Sequence, residues 1–365
     1  MLGKLQGIQA LRGIAVLLVI FAHLFQVEEK YAGEIILPKT MLLGVSGIDI
    51  FFVISGFIMV VTTHKKREGI LNSINFLYRR AIRIYPTYWI YTTLVLIVYL
   101  LNHNLVNSGA PVDILASYAL WPTDNPFLVA VGWTLSFEIY FYLVFTLMFT
   151  LPERFFSAAL AAWAALVIIA GTLYQGDTPW IRIILSPLTI EFIAGALLAQ
   201  MILIYRPTLP LAYSGFLIIA SLGLIFIAGR HYLNSTGDIP TGWARVLFLG
   251  LPATLIVFCT YSAENKGARI PLWMTKIGDA SYSTYLSHIL VLSALGHTWA
   301  KLSHLGIIEN YFVLPTMVAA SLIYGWVSYT YLEKPILNSL ARRRVGPSTR
   351  LTRPIDDRIN SSNPR

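Results

Sequence analysis

Arg12 and His23 stand in one apolar run, Gln6–Val27 (QGIQALRGIAVLLVIFAHLFQV), eleven residues apart. If the run is helical, ~100° per residue returns His23 to within about 20° of Arg12's face, roughly 16 Å further along the axis. A lipid-facing helix would not keep two polar groups on one stripe, so the stripe is expected to face protein or a watery cavity. An imidazole held there can serve as a general base. The alternative is that Arg12 snorkels to the interface and His23 is a packing histidine.

Four more ionisable residues, Asp49, Glu138, Glu191 and His288, fall inside other apolar runs. Each costs at least about a few kcal/mol when it faces lipid, so each is expected to face the bundle interior. His23 and Glu138 lie equally close to the outer ends of their runs, and Asp49 a little deeper. A histidine and a carboxylate at one level could act as a base and the group that orients it. A structural ion pair between packed helices is the alternative.

A second concentration is HKKREGILNSINFLYRRAIRIYPTYW (64–89). Its first part, 64–84, reads as a loop carrying Lys65, Lys66, Arg67, Arg79, Arg80 and Arg83. Arg80 and Arg83 fall on one face of a short helix. Planar guanidinium groups suit phosphate oxygens, so this face could grip a phosphorylated cytoplasmic ligand. Plain topological anchoring is the alternative, and composition by itself favours it.

Apolar runs long enough to cross a bilayer fall at 8–27, 41–63, 85–101, 133–151, 156–174, 181–204, 211–229, 243–262, 277–299 and 312–332, which predicts an all-α polytopic bundle of about ten spans. An even number places both termini on one side. With that side cytoplasmic, 21 of the 27 Lys and Arg residues are inside, as the positive-inside rule requires. Lys30, Lys39, Arg182, Arg230, Arg245 and Lys301 are left outside. Residues 1–341 form the membrane domain, and 342–365 read as a basic, disordered cytoplasmic tail touching anionic lipid. In the outer loop 102–132, ILASYALWP (114–122) reads as a short interfacial helix with Trp121 at the boundary. No internal repeat is visible, which argues against many transporter folds.

The composition agrees with membrane residence: 365 residues, 56% hydrophobic, 12% charged, mean hydropathy +0.65. A net charge of +9 could attract nucleic acid, but no soluble domain offers a groove, and no nucleic-acid partner is expected. The single cysteine, Cys259, lies in an apolar run, so no disulfide framework exists. No His/carboxylate spacing forms a recognisable ligand set, and no metal is expected. The first run carries a charge and lacks a small-residue cleavage pattern, so it reads as a retained span.

Six stretches together resemble a known family. They are IQALRGIAVLLVIFAH (8–23), GIDIFFVISGFIM (47–59), FLYRRAIRIYPTYW (76–89), WTLSFEIYFY (133–142), IGDASYSTYLSH (277–288) and YLEKP (331–335). In these residues, and in their order, the chain resembles the membrane-bound acyltransferase family 3, and most closely its exopolysaccharide O-acetyltransferase branch. Ile139 stands where the family commonly has a second glutamate.

The resemblance implies acyl transfer from a cytoplasmic acyl-CoA, acetyl-CoA above all, to a carbohydrate hydroxyl at the outer face of the bacterial cytoplasmic membrane. It implies His23 as catalytic base, Arg12 as its partner on the same helix and Glu138 as a site carboxylate. Arg80 and Arg83, with Arg79 beside them, become coenzyme A phosphate contacts. Asp49, Ser55, His288 and Glu191 are further site candidates. Direct transfer and a covalent acyl-histidine both remain open. Expected partners are acyl-CoA, a carbohydrate acceptor and membrane lipids; a homo-oligomer or polysaccharide-assembly proteins are left open. The competing reading is a proton-coupled transporter or a flippase component of polysaccharide export.

Overall fold

A computed structural model describes residues 5–64, 69–174, 176–302 and 307–344, with 341–344 described by their backbone alone. Lys4, Lys65, Lys66, Arg67 and the tail beyond residue 344 lie outside the described residues. The described chain contains fifteen α-helices joined by short 3₁₀ segments, π-helical turns and loops, and no strand occurs in it. In order they are α1 (Gln6–Tyr31), α2 (Ser46–Thr63), α3 (Ile70–Leu101), α4 (Ile114–Ala119) and α5 (Gly132–Leu147). Next come α6 (Phe156–Leu173), α7 (Pro179–Ile184), α8 (Leu188–Tyr205), α9 (Leu211–Thr236) and α10 (Gly242–Arg245). The chain closes with α11 (Leu251–Asn265), α12 (Leu272–Asp279), α13 (Ser281–Leu302), α14 (Ile307–Ser328) and α15 (Lys334–Arg344). π-helical turns at Val246–Gly250 and Tyr329–Glu333 join α10 to α11 and α14 to α15.

Nine helical segments among the described residues are long and apolar enough to cross a membrane. They coincide with nine of the ten expected runs. The remaining run, 277–299, falls on α13, which has the length of a span at 22 residues. Its lower apolarity has a visible cause: Ser281, Ser283, Thr284, Ser287 and His288 are all buried on it. A helix surrounded by protein need not be greasy, because its polar groups meet other helices instead of lipid.

Small residues bring the site-bearing helices together. A Cβ on Gly47 of α2 would strike the Ala15 carbonyl of α1. Gly56 of α2 and Gly195 of α8 each pack on the other helix's backbone, at Phe192 and Val53. Such backbone contact is how helices associate tightly where no hydrophobic driving force separates protein from lipid.

Two expectations about the chain need correction. Among its described residues, the basic stretch is not a loop with a short helix in it. After Gly69, with φ of +99°, α3 runs unbroken for 32 residues through Arg79, Arg80, Arg83 and Pro86. Its polar residues obscured a helix whose inner half is anchored by Phe76, packed on Phe145 and Phe149 with centroids 5.4 and 5.2 Å apart. The outer loop does contain a helix at 114–119, but the chain doubles back alongside α3. Tyr88 donates to the Ser117 carbonyl at 2.7 Å, Trp89 Nε1 to Tyr118 O at 2.9 Å and Tyr85 to Ala119 O at 3.0 Å. Tyr85 stands sixteen residues before the end of α3, or about 24 Å along its axis. The Ser117, Tyr118 and Ala119 carbonyls are the last of α4 and have no partner within that helix, and the side chains of α3 supply the partners.

Candidate active site

Five of the expected site residues line one cavity: Arg12 of α1, Ser55 of α2, Arg80 and Arg83 of α3, and Glu138 of α5. Thr134 and Tyr142 of α5 and Ser281, Tyr282 and Tyr285 of α13 complete its polar wall. Helical spacing explains the convergence. Arg80 and Arg83 are three apart on α3, Glu138 and Tyr142 four apart on α5, and Tyr282 and Tyr285 three apart on α13. Each pair therefore presents one face.

Glu138, Arg80 and Arg83 are each held in place. Glu138 accepts hydrogen bonds from Tyr142 and from Ser55 Oγ, the latter at 3.1 Å. Arg80 lies over the rings of Phe76 and Tyr142, at 5.3 and 5.4 Å, and its Nη2 donates to Thr62 Oγ1 at 3.3 Å. Arg83 Nη1 meets the Glu333 carboxylate at 2.8 Å, with the Tyr282 ring 5.7 Å away. Glu333 is fully buried, and Ser283 donates to its other oxygen at 2.5 Å. Three guanidinium groups against two carboxylates leave one excess positive charge. That excess suits an anion such as a phosphate.

The histidine stands one level away. Tyr285 OH and Thr134 Oγ1 bond at 2.8 Å and set α5 and α13 in register. Glu138 is four residues beyond Thr134 on α5, inside the cavity. His288 is three residues beyond Tyr285 on α13, and its Nε2 lies 3.3 Å from His23 Nδ1. The two rings meet edge to face with centroids 5.0 Å apart. His288 is fully buried, and His23 is partly open. The Tyr285 ring lies between, 5.8 Å from His288 and 5.9 Å from Phe51, a cavity wall residue. The expected pairing of His23 with Glu138 is therefore not formed. The two chains run opposite ways from the Thr134–Tyr285 contact, so seven residues, or about 10 Å of axial distance, separate Glu138 from His288.

Two further candidates form a separate cluster. Arg245 grips Asp49 with both ends of its fork, Nε to Oδ1 at 2.9 Å and Nη2 to Oδ2 at 3.0 Å. Both are buried, so Arg245 sits inside the bundle and not in the outer loop where topology had left it. Glu191 is buried, its carboxylate against Gly250, and neither of its oxygens has a hydrogen-bond partner. None of the three lines the cavity. Arg79 is exposed and turned away from it too.

Sequence reading passed over Glu333, Tyr142, Tyr282 and Tyr285. A signal existed for each. Glu333 is a carboxylate directly after the last apolar run, in the YLEKP stretch, and Tyr282, Tyr285 and His288 recur at three-residue spacing on one helix. Among the described residues, no group of three or more His, Cys, Asp or Glu is placed to hold a metal ion.

Comparison with known proteins bears on this arrangement. A family model described as an acyltransferase domain matches residues 5–327. The chain is similar to the exopolysaccharide production protein ExoZ of Rhizobium meliloti (strain 1021), 30% identical over 327 residues, which cover 83% of this chain and 92% of that protein. It is similar as well to the acyltransferase MdmB of Streptomyces mycarofaciens, 24% identical over 380 residues, covering 93% and 94% of the two chains. No solved structure matches the chain significantly.

Proposed function

Since the chain belongs to this acyltransferase family and is an integral membrane protein, we propose that it transfers an acyl group, acetyl in the first place, from cytoplasmic acyl-CoA to a hydroxyl of an exported or cell-surface polysaccharide or its lipid-linked precursor. One observation carries the reading. Three arginines from two helices share a cavity with a held carboxylate, and a histidine lies one level beyond it. Counting α13 as a tenth span puts both termini on one side of the membrane. In our reading that side is the cytoplasm, as the excess of Lys and Arg there supports, and the membrane is the bacterial cytoplasmic one. The arginines then lie toward the side where nucleotide phosphates are available and cannot enter lipid.

The positions support the following chemistry. Arg80 and Arg83 contact the phosphates of coenzyme A, and Arg12 completes the cationic wall. The pantetheine arm extends past Tyr285 toward His23, roughly 16 Å along α1 from Arg12. His23 takes the proton of the acceptor hydroxyl as its oxygen bonds to the thioester carbon. The C–S bond then breaks, its electron pair stays on sulfur, and the proton on His23 passes to the departing thiolate. The acyl group and the acceptor's proton exchange carriers, and no free proton is released in the step.

The test is transfer from labelled acetyl-CoA into polysaccharide by membranes containing the chain, beside membranes carrying His23→Gln. Label appearing in polymer only with the intact histidine is the expected result. Equal incorporation in both would overturn the assignment of His23. No incorporation by either, with the polymer of a deletion strain keeping its acetyl content, would overturn the function.

A further inference from the structure

His23 and His288 meet at their ring nitrogens, and the backbone partners of each ring fix where its proton sits. His288 Nδ1 lies 2.7 Å from the Tyr285 carbonyl and 3.2 Å from that of Thr284. Carbonyl oxygens only accept, so Nδ1 carries the proton and the neutral ring has a bare lone pair on Nε2. That lone pair faces His23 Nδ1 at 3.3 Å. His23 Nδ1 also lies 2.9 Å from the Val19 carbonyl, another acceptor. Its hydrogen is therefore shared between a carbonyl of its own helix and a ring of α13. The partners assign the tautomer of both rings.

We propose that His288 is a positioning residue that holds His23 as the Nδ1–H tautomer and so presents His23 Nε2, unprotonated, to the acceptor hydroxyl. This rests on His23 being the base. An aspartate commonly orients a catalytic histidine. Here, among the described residues, no carboxylate bonds to either ring, and a second imidazole occupies that place. A neutral acceptor adds no charge to a buried site. It also gives the proton no onward path, because the far nitrogen of His288 already donates to carbonyls. The proton that His23 collects at Nε2 can leave only by the atom that took it, toward the thiolate. The Val19 carbonyl already accepts the backbone N–H of His23 within α1, so it is a shared and weaker acceptor for Nδ1. The ring of α13 supplies the free one and fixes the orientation of His23 against the second wall of the site.

Three variants of the full chain in membranes or detergent test this. His288→Leu removes the acceptor, His288→Gln can replace it with Oε1, and His23→Gln serves as reference. His288→Leu is expected to lose about 10- to 100-fold in kcat, part of the 10²–10⁴ that a general base contributes, with acyl-CoA affinity unchanged. His288→Gln should recover most of that loss. ¹⁵N spectra of labelled histidines should show His23, identified by its absence in His23→Gln, as the Nδ1–H tautomer in the parent and in His288→Gln, and as a mixture in His288→Leu. If the leucine variant turns over normally, or both substitutions lose activity equally while the tautomer stays put, His288 is a packing residue and the proposal fails. Should the leucine variant not fold, the glutamine variant decides by itself: tautomer and turnover kept support the role, tautomer kept with turnover lost overturns it. Normal transfer by His23→Gln would instead remove the reading on which the proposal rests.

Discussion

Arg83 and Glu333 stand 250 residues apart in sequence and 2.8 Å apart in space. The arginine that faces the cavity is thus gripped from behind by a carboxylate on the π-helical turn near the end of the chain. Removing the arginine strands a fully buried anion, which typically costs about 3–5 kcal/mol. Arg83→Gln should therefore lower detergent stability sharply, and Arg83→Gln combined with Glu333→Gln should recover much of it. The recovered double variant should still bind acyl-CoA poorly. A stable double variant with parental acyl-CoA affinity would show that the pair is structural only.

Arg79, Arg80 and Arg83 should separate cleanly in binding. Charge-assisted contacts to phosphate are worth about 1.5–3 kcal/mol each, so Arg80→Gln should weaken acyl-CoA binding by roughly 10- to 100-fold. Arg79→Gln, exposed and outside the cavity, should leave affinity near parental. Equilibrium binding in detergent measures both. Equal losses at the two positions would mean that the basic stretch acts through bulk charge.

His23 and Glu138 should act independently. They lie at different levels and share no contact, and changes at sites separated by roughly 7–10 Å or more usually add. His23→Gln should cut the transfer rate about 10²–10⁴-fold with acyl-CoA affinity kept. Glu138→Gln should act on the donor cavity, and the double variant should show the product of the two losses. A double variant no slower than His23→Gln alone would place both in one catalytic unit.

The Asp49–Arg245 pair should matter for folding and not for turnover. Asp49→Asn leaves a buried guanidinium without its anion and should destabilise the protein by about 3–5 kcal/mol. Activity per folded molecule should stay near parental, because neither residue lines the cavity. Glu191→Gln, which replaces a carboxylate lacking any hydrogen-bond partner, should be far milder. Thermal unfolding in detergent, with activity normalised to folded protein, distinguishes these outcomes.

Side-specific labelling checks the orientation. In a background lacking Cys259, cysteines at Asn104 and Ser235, both exposed, should react with an impermeant reagent in intact cells. A cysteine at Lys266, exposed in the turn after α11, should react only after lysis. The reverse pattern would put the arginine cavity toward the wrong side and remove the mechanism.

The sequence alone determined what repeats along a helix axis. Apolar runs marked the spans, and eleven-residue spacing put Arg12 and His23 on one stripe. Three-residue spacing put Arg80 and Arg83 on one face, and the cavity does collect Arg12, Arg80, Arg83, Ser55 and Glu138. Partnership across helices was decided only by the tertiary structure. Distance from the end of a run suggested that Glu138 would meet His23. The Thr134–Tyr285 bond sets a different offset and gives His23 to His288 and Glu138 to Ser55 and Tyr142. Likewise, nothing in the run holding Arg245 says that it turns inward to Asp49, nor does the chain near Arg83 mention Glu333. Periodicity follows from local backbone geometry, which each segment carries in itself. Axial offset between helices depends on which backbones can touch, as at Gly47, Gly56 and Gly195, and a shift of one turn, about 5.4 Å, hands every polar side chain a different partner.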